Sequence, residues 1–143
     1  MQVDFYVMEN ADQQQALHEL CRLLEAPYAA KQPIYIYTGT DNDAKQLDDL
    51  LWTYRDNSFL AHQITNDASN APIEIGIDAP NAEATGMLVN LINTLPTFLT
   101  QFSHLIEIVY ADTTVQQAAR ERFRQYRGQG FNIHTHKMKV NAT

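Results

Sequence analysis

Val3-Asp4-Phe5-Tyr6-Val7 alternates apolar and polar positions as a strand does, and the next periodic stretch changes to helical spacing. Leu17, Leu20, Cys21, Leu24 and Tyr28 recur on one helical face. Ile34 to Thr38 is a second strand, rich in β-branched and aromatic residues and ended by Gly39. After it, Asp41 or Asp43 would cap a helix whose core face is Ala44, Leu47, Leu51 and Tyr54. Further strands are expected at Ile73 to Ile77, Met87 to Ile92 and Leu105 to Tyr110, with a short helix from Pro96 through Phe102. Thr113 or Thr114 begins a last helix running to about Arg127, which Gly128 and Gly130 stop; Phe131 to His136 alternates once more as a final strand.

Strands and helices in such close succession predict an α/β domain. The expected architecture is a three-layer α/β/α domain around a mostly parallel, mixed sheet, Rossmann-like but without a phosphate-binding loop. One domain over residues 1–136 and a disordered tail over 137–143 account for the chain. At 143 residues it is long enough to bury its own core, and its one cysteine, Cys21, has no partner in the chain. A cytoplasmic setting is therefore expected, with no membrane span, metal or cofactor.

Charge changes this picture at one place. Residues 1–119 hold four basic side chains against sixteen acidic ones, whereas residues 120–143 hold six basic ones against Glu121 alone. A chain with net charge −7 that gathers its cations in one element has built a local anion site. On a helical wheel Val115, Ala118, Ala119, Arg122 and Tyr126 share the face that would pack on the sheet. The opposite arc carries Gln116, Arg120, Phe123, Arg124 and Arg127, with Phe123 at the boundary of the two. This is either a solvated basic face or a groove for an acidic peptide with an apolar end, in which arginines fork onto carboxylates beside a ring.

Trp52 points away from the core side of its helix and, with Tyr54 and Phe59, makes an apolar patch. Either a later segment covers it or it is a partner site, for which tryptophan is a favoured anchor. Other chemistry is weaker. The turn Thr38-Gly39-Thr40-Asp41 precedes a helix, as phosphate loops do, but Asp41 and Asp43 would repel a phosphate and no P-loop sequence follows. His134 and His136 share a strand face, yet no third metal ligand can be named from sequence. No nucleophile elbow or triad spacing marks an enzyme.

Three blocks together resemble the chi-subunit family of bacterial DNA polymerase III. They are Asp4-Phe5-Tyr6; Gln46 to Trp52 with Ser58-Phe59 and His62; and Ala119 to Arg127 closed by Gly130-Phe131-Asn132. The resemblance implies a non-catalytic accessory protein of the clamp loader in DNA replication, with two faces. One would bind the psi subunit through the residues matching Trp52 and Phe59, with Tyr54 beside them. The other would bind the acidic C-terminal tail of single-stranded DNA-binding protein through Arg120, Phe123 and Arg124, with Val109 as an apolar wall and Gln116 and Arg127 on the same arc. DNA would be met only through that protein. Gln116 departs from a basic residue of some family members, and Phe123 from a tyrosine. The alternative reading is a small domain that binds a nucleotide or single-stranded nucleic acid, for which a broad basic groove lined with stacked rings would be expected.

Overall fold

The structure, a computed structural model, describes residues 1–53, 62–64 (as backbone), 72–80 and 84–140. In chain order the elements are β1 (Gln2–Met8), α1 (Gln13–Leu23), α2 (Glu25–Ala29), β2 (Ile34–Tyr37), α3 (Asp41–Thr53), β3 (His62–Ile64), β4 (Ile73–Gly76), β5 (Met87–Asn90), β6 (His104–Tyr110), α4 (Thr113–Gly128) and β7 (Asn132–Met138). The strands lie side by side in the order β3-β4-β2-β5-β6-β1-β7. Every pairing among the described strands is parallel, in keeping with the mostly parallel sheet expected from sequence. Parallel neighbours are joined by crossovers and not by tight hairpins.

Alternation along the strands divides the core between the two faces. Met8, Ile36, Ile75, Ile106 and Ile108 pack with Leu20, Leu24, Leu47 and Leu51 of the helices α1 and α3 and the residue between α1 and α2. Val3, Phe5, Tyr35, Leu88, Leu105 and Val109 pack with Val115, Ala119 and Tyr126 of α4. The three layers expected from sequence are therefore present, and α4 covers one face at the β6–β1–β7 side.

Local departures each have a cause. The first helical stretch breaks at Leu24 because Pro27 has no N–H to give the carbonyl of Leu23. The cap of α3 is Thr40, whose hydroxyl accepts from the Asp43 amide at 3.1 Å, so neither Asp41 nor Asp43 takes that role. This occupies the helix start that a phosphate would need. The helix expected from Pro96 shrinks to a single 3-10 turn, Leu99–Gln101. Phe98 and Phe102 hold that segment by packing against Tyr35, and Phe98 also against Tyr37, while Thr94, Thr97 and Thr100 favour helix weakly. As expected, α4 begins at Thr113, and Asp112 caps it through a 3.0 Å bond from the Val115 amide. β3 is too short to show alternation and went unforeseen. β7 continues through Lys137 and Met138, past the expected end of the domain at 136. Val140 then exchanges two hydrogen bonds with Asn10, at 2.8 and 3.0 Å, which ties the chain after β7 to the end of β1.

A candidate functional site along the last helix

The orientation of α4 is set from below. Glu107, in the middle of β6 and wholly buried, faces the helix. Arg122 meets its carboxylate with two bonds, Nε to Oε2 at 2.9 Å and Nη2 to Oε1 at 3.0 Å. The Tyr126 hydroxyl donates to Oε2, and Asn90 Nδ2 lies 3.2–3.3 Å from both oxygens. Burial pushes the Glu107 carboxyl above its usual range, and Arg122, Tyr126 and Asn90 pull against that rise. Burial beside that carboxylate raises the Tyr126 phenol as well. Because Arg122 and Tyr126 are one turn apart, two anchors on a single acceptor fix the rotation of the helix.

The outward side then follows. Val109, Gln116, Arg120, Phe123 and Arg124 line one open groove together with Phe5, Val7, Glu9, Ala119 and Thr135. Its volume is about 360 Å³. The floor is apolar: the Phe123 ring stands 5.5 Å from that of Phe5, tilted by 51°, and Val109 is buried beneath. Arg120 is exposed and forms no ion pair with a described residue, while Arg124 lies a loose 3.6 Å from Glu121. The structure thus brings together five of the six residues that sequence placed at a tail site. Arg127 is exposed on the same helix but does not line the groove. Glu9, Phe5, Val7 and Thr135 were missed, since only the pairing of β1 with β6 and β7 carries them there.

Trp52, in the last turn of α3, is 56% exposed. Tyr54 and Phe59 lie outside the described residues. One histidine of β7, His136, and one of β6, His104, share a carboxylate. His136 Nε2 lies 2.8 Å from Asp4 Oδ1, and His104 Nε2 meets Oδ2 of the same carboxylate. Burial alone would raise the Asp4 carboxyl, but the bonds from His136 and His104 hold it below the usual range. The carboxylate that sequence could not supply nearby comes from the adjacent strand, where Asp4 pairs with His134 in register. Among the described residues no group of three or more His, Cys, Asp or Glu could hold a metal ion, and no helix is long and apolar enough to cross a membrane.

The family model of the DNA polymerase III chi subunit, HolC, matches residues 1–134. The chain belongs to the chi family. Its relatives include the DNA polymerase III subunit chi of Pseudomonas aeruginosa, 32% identical over 136 residues that cover 95% of this chain and 96% of that one. The chi subunit of Haemophilus influenzae is 30% identical over 118 residues, covering 80% and 82% of the two chains. That of Escherichia coli is 27% identical over 138 residues, covering 92% and 94%. Among solved structures the chain is similar to the crystal structure of T4 UvsW, with a TM-score of 0.67 and 8% identity. That match covers 98% of this chain and 42% of the other, and at such identity it speaks to the fold alone. Within the chi family the groove along α4 and the exposed Trp52 are the two surfaces that the sequence had singled out.

Proposed function

We propose that this chi-family chain is a non-catalytic accessory subunit of the DNA polymerase III holoenzyme in the cytoplasm. In that role it links the clamp loader, through psi, to single-stranded DNA-binding protein during replication. The observation that carries the reading is the groove itself, an apolar floor of Phe123, Phe5 and Val109 with Arg120 and Arg124 on its helix side. Such a site suits a peptide that ends in an apolar side chain and is otherwise acidic, because the ring and aliphatic groups take the apolar end while guanidinium groups fork onto carboxylates. The lining includes no His, Cys or Ser, and its one hydroxyl is that of Thr135, which favours binding over chemistry.

Each tail contact is weak and salt-sensitive, since exposed charges are screened over about 8 Å at physiological ionic strength. Several tails on one oligomeric coat protein supply the missing strength through effective concentration. A chain of net charge −7 with a single small cationic row is poorly suited to grip nucleic acid directly. Titration of a tail peptide against Arg120→Ala tests the site: a loss of about tenfold is expected for a charge-assisted contact, and unchanged affinity would remove Arg120 from it. The psi face rests on Trp52 with Tyr54 and Phe59. A Trp52→Ala, Phe59→Ala variant should lose co-purification with psi at both low and high salt, because apolar burial is little screened. Retention of psi would move that interface elsewhere.

A further inference from the structure

A small cavity lies at the carboxyl end of the sheet, away from the groove, where neighbouring strands stop at different heights. β5 ends at Asn90, whose register partner on β6 is Glu107, while β6 runs on to Tyr110. The notch above the end of β5 is roofed by the chain that follows it, Leu91 to Asn93. Asn90 holds that turn, donating from Nδ2 to the Thr94 carbonyl at 3.3 Å and accepting at Oδ1 from the Ile92 amide at 3.3 Å. The enclosed volume is about 40 Å³. Its walls come from both helical layers, with Leu17, Asp43 and Gln46 of α1 and α3 on one side and Val115 and Arg122 of α4 on the other.

Arg122 brings an unused donor to this cavity. Glu107 engages Nε and Nη2, at 2.9 and 3.0 Å, and a guanidinium held by that edge turns its remaining nitrogen, Nη1, away from the carboxylate. Nη1 is buried, and it is the one buried side-chain nitrogen or oxygen among the described residues that has no hydrogen-bond partner. Leaving a buried donor unmatched is unfavourable, so nearly all such groups meet either protein or ordered water. The walls decide which ligand suits it. An anion would find Arg122 already neutralised by Glu107 and would face Asp43, whereas a metal cation would meet the guanidinium. A nucleotide needs a site of roughly 300 Å³ or more. Water fits on both counts, since it donates and accepts, and each molecule needs only about 10–15 Å³.

We infer that this cavity is a hydration site built into the fold, in which about three ordered waters accept from Arg122 Nη1 and pass hydrogen bonds to the Asp43 carboxylate and the Gln46 amide on the far wall. The guanidinium is then held at both of its edges, by Glu107 beneath and by water above. The same waters tie α4, which lines the groove, to α3, which carries Trp52, around the carboxyl end of the sheet. The bridge is independent of what the groove binds.

A high-resolution crystal structure of the wild-type chain tests this directly. Water should lie within about 3 Å of Arg122 Nη1, with a polar atom of the far wall as its next partner. The same crystals under xenon should show no xenon in the cavity, because xenon enters dry apolar cavities and not wet polar ones. Xenon density, no water at Nη1, or an Arg122 turned so that Nη1 meets a protein acceptor overturns the inference. In solution, Val115→Leu pushes a methylene into the cavity and displaces water from it. That should lower the folding equilibrium constant about tenfold, the scale of one buried donor left unmatched. In an Arg122→Met, Glu107→Leu background the same substitution has the same steric effect but strands no donor, so its effect should be at least about fivefold smaller. Equal losses in both backgrounds overturn the bridge. The crystallographic outcome needs no variant, so it stands even where one of these chains fails to fold.

Discussion

Arg122 and Arg120 stand two residues apart on one helix, and their surroundings ask opposite things of them. Arg122 is 3% exposed and forks onto a carboxylate that is itself wholly buried; Arg120 is in solvent with no ion-pair partner among the described residues. For the buried pair, removal from water costs several kcal/mol per ion, and mutual attraction with two further hydrogen bonds from Tyr126 and Asn90 repays it. Even so the repayment is incomplete, because Arg122 Nη1 has no hydrogen-bond partner among the described residues. The exposed arginine costs little to keep and contributes little to folding. The same side chain is thus a positional device on one side of α4 and a solvent-facing charge lining the groove on the other. The first holds the helix in the rotation that turns the second toward the groove.

The largest effect should come from breaking the buried pair on one side only. Arg122→Met leaves Glu107 charged and buried with only Tyr126 and Asn90 as donors, and should lower stability by about 3–5 kcal/mol in chemical denaturation. The double variant Arg122→Met, Glu107→Leu removes both charges and should regain most of that loss, because the coupling between the two sites is the quantity at stake. A double variant as unstable as the single one would mean that the volume and packing of Arg122, and not its charge pairing, hold α4 in place. The sharper readout is the groove. The double variant lacks the forked anchor that fixes helix rotation, so its tail-peptide affinity should stay below wild type even where stability is regained.

The two arginines also differ in how far the sequence disclosed them. The outward row was legible because a helix is a local object: a period of 3.6 and a count of residues place Arg120, Phe123 and Arg124 on one arc with no knowledge of the sheet. The same wheel put Arg122 inward. Its partner was harder to see, since Glu107 sits within the apolar run Leu105 to Tyr110 and reads locally as a strand residue like its neighbours. The usable signal was the coincidence of a carboxylate in a buried strand with an arginine on the apolar arc of the next helix. What could not be read was anything that depends on which strands become neighbours. Glu9 and Thr135 enter the groove only because β1 lies between β6 and β7, and Asp4 meets His104 and His136 for the same reason. The parallel direction of the sheet, by contrast, was legible, because strands alternating with helices call for crossovers; the order of the strands was not.

The smallest expected effect concerns the exposed row and completes the contrast. Arg120→Ala removes a side chain in solvent that pairs with no described residue, and Arg124→Ala breaks a 3.6 Å pair whose two side chains are 78% and 61% exposed. Neither should change unfolding free energy by more than about 0.5 kcal/mol, the range of ordinary surface substitutions. Denaturation curves of the two variants at low and moderate salt measure this directly. A loss above about 1 kcal/mol in either would show that the outward row also supports the fold, and the division between the two sides of α4 would fail. If stability holds, a drop in peptide affinity of Arg120→Ala cannot be charged to unfolding, and the contact itself must account for it.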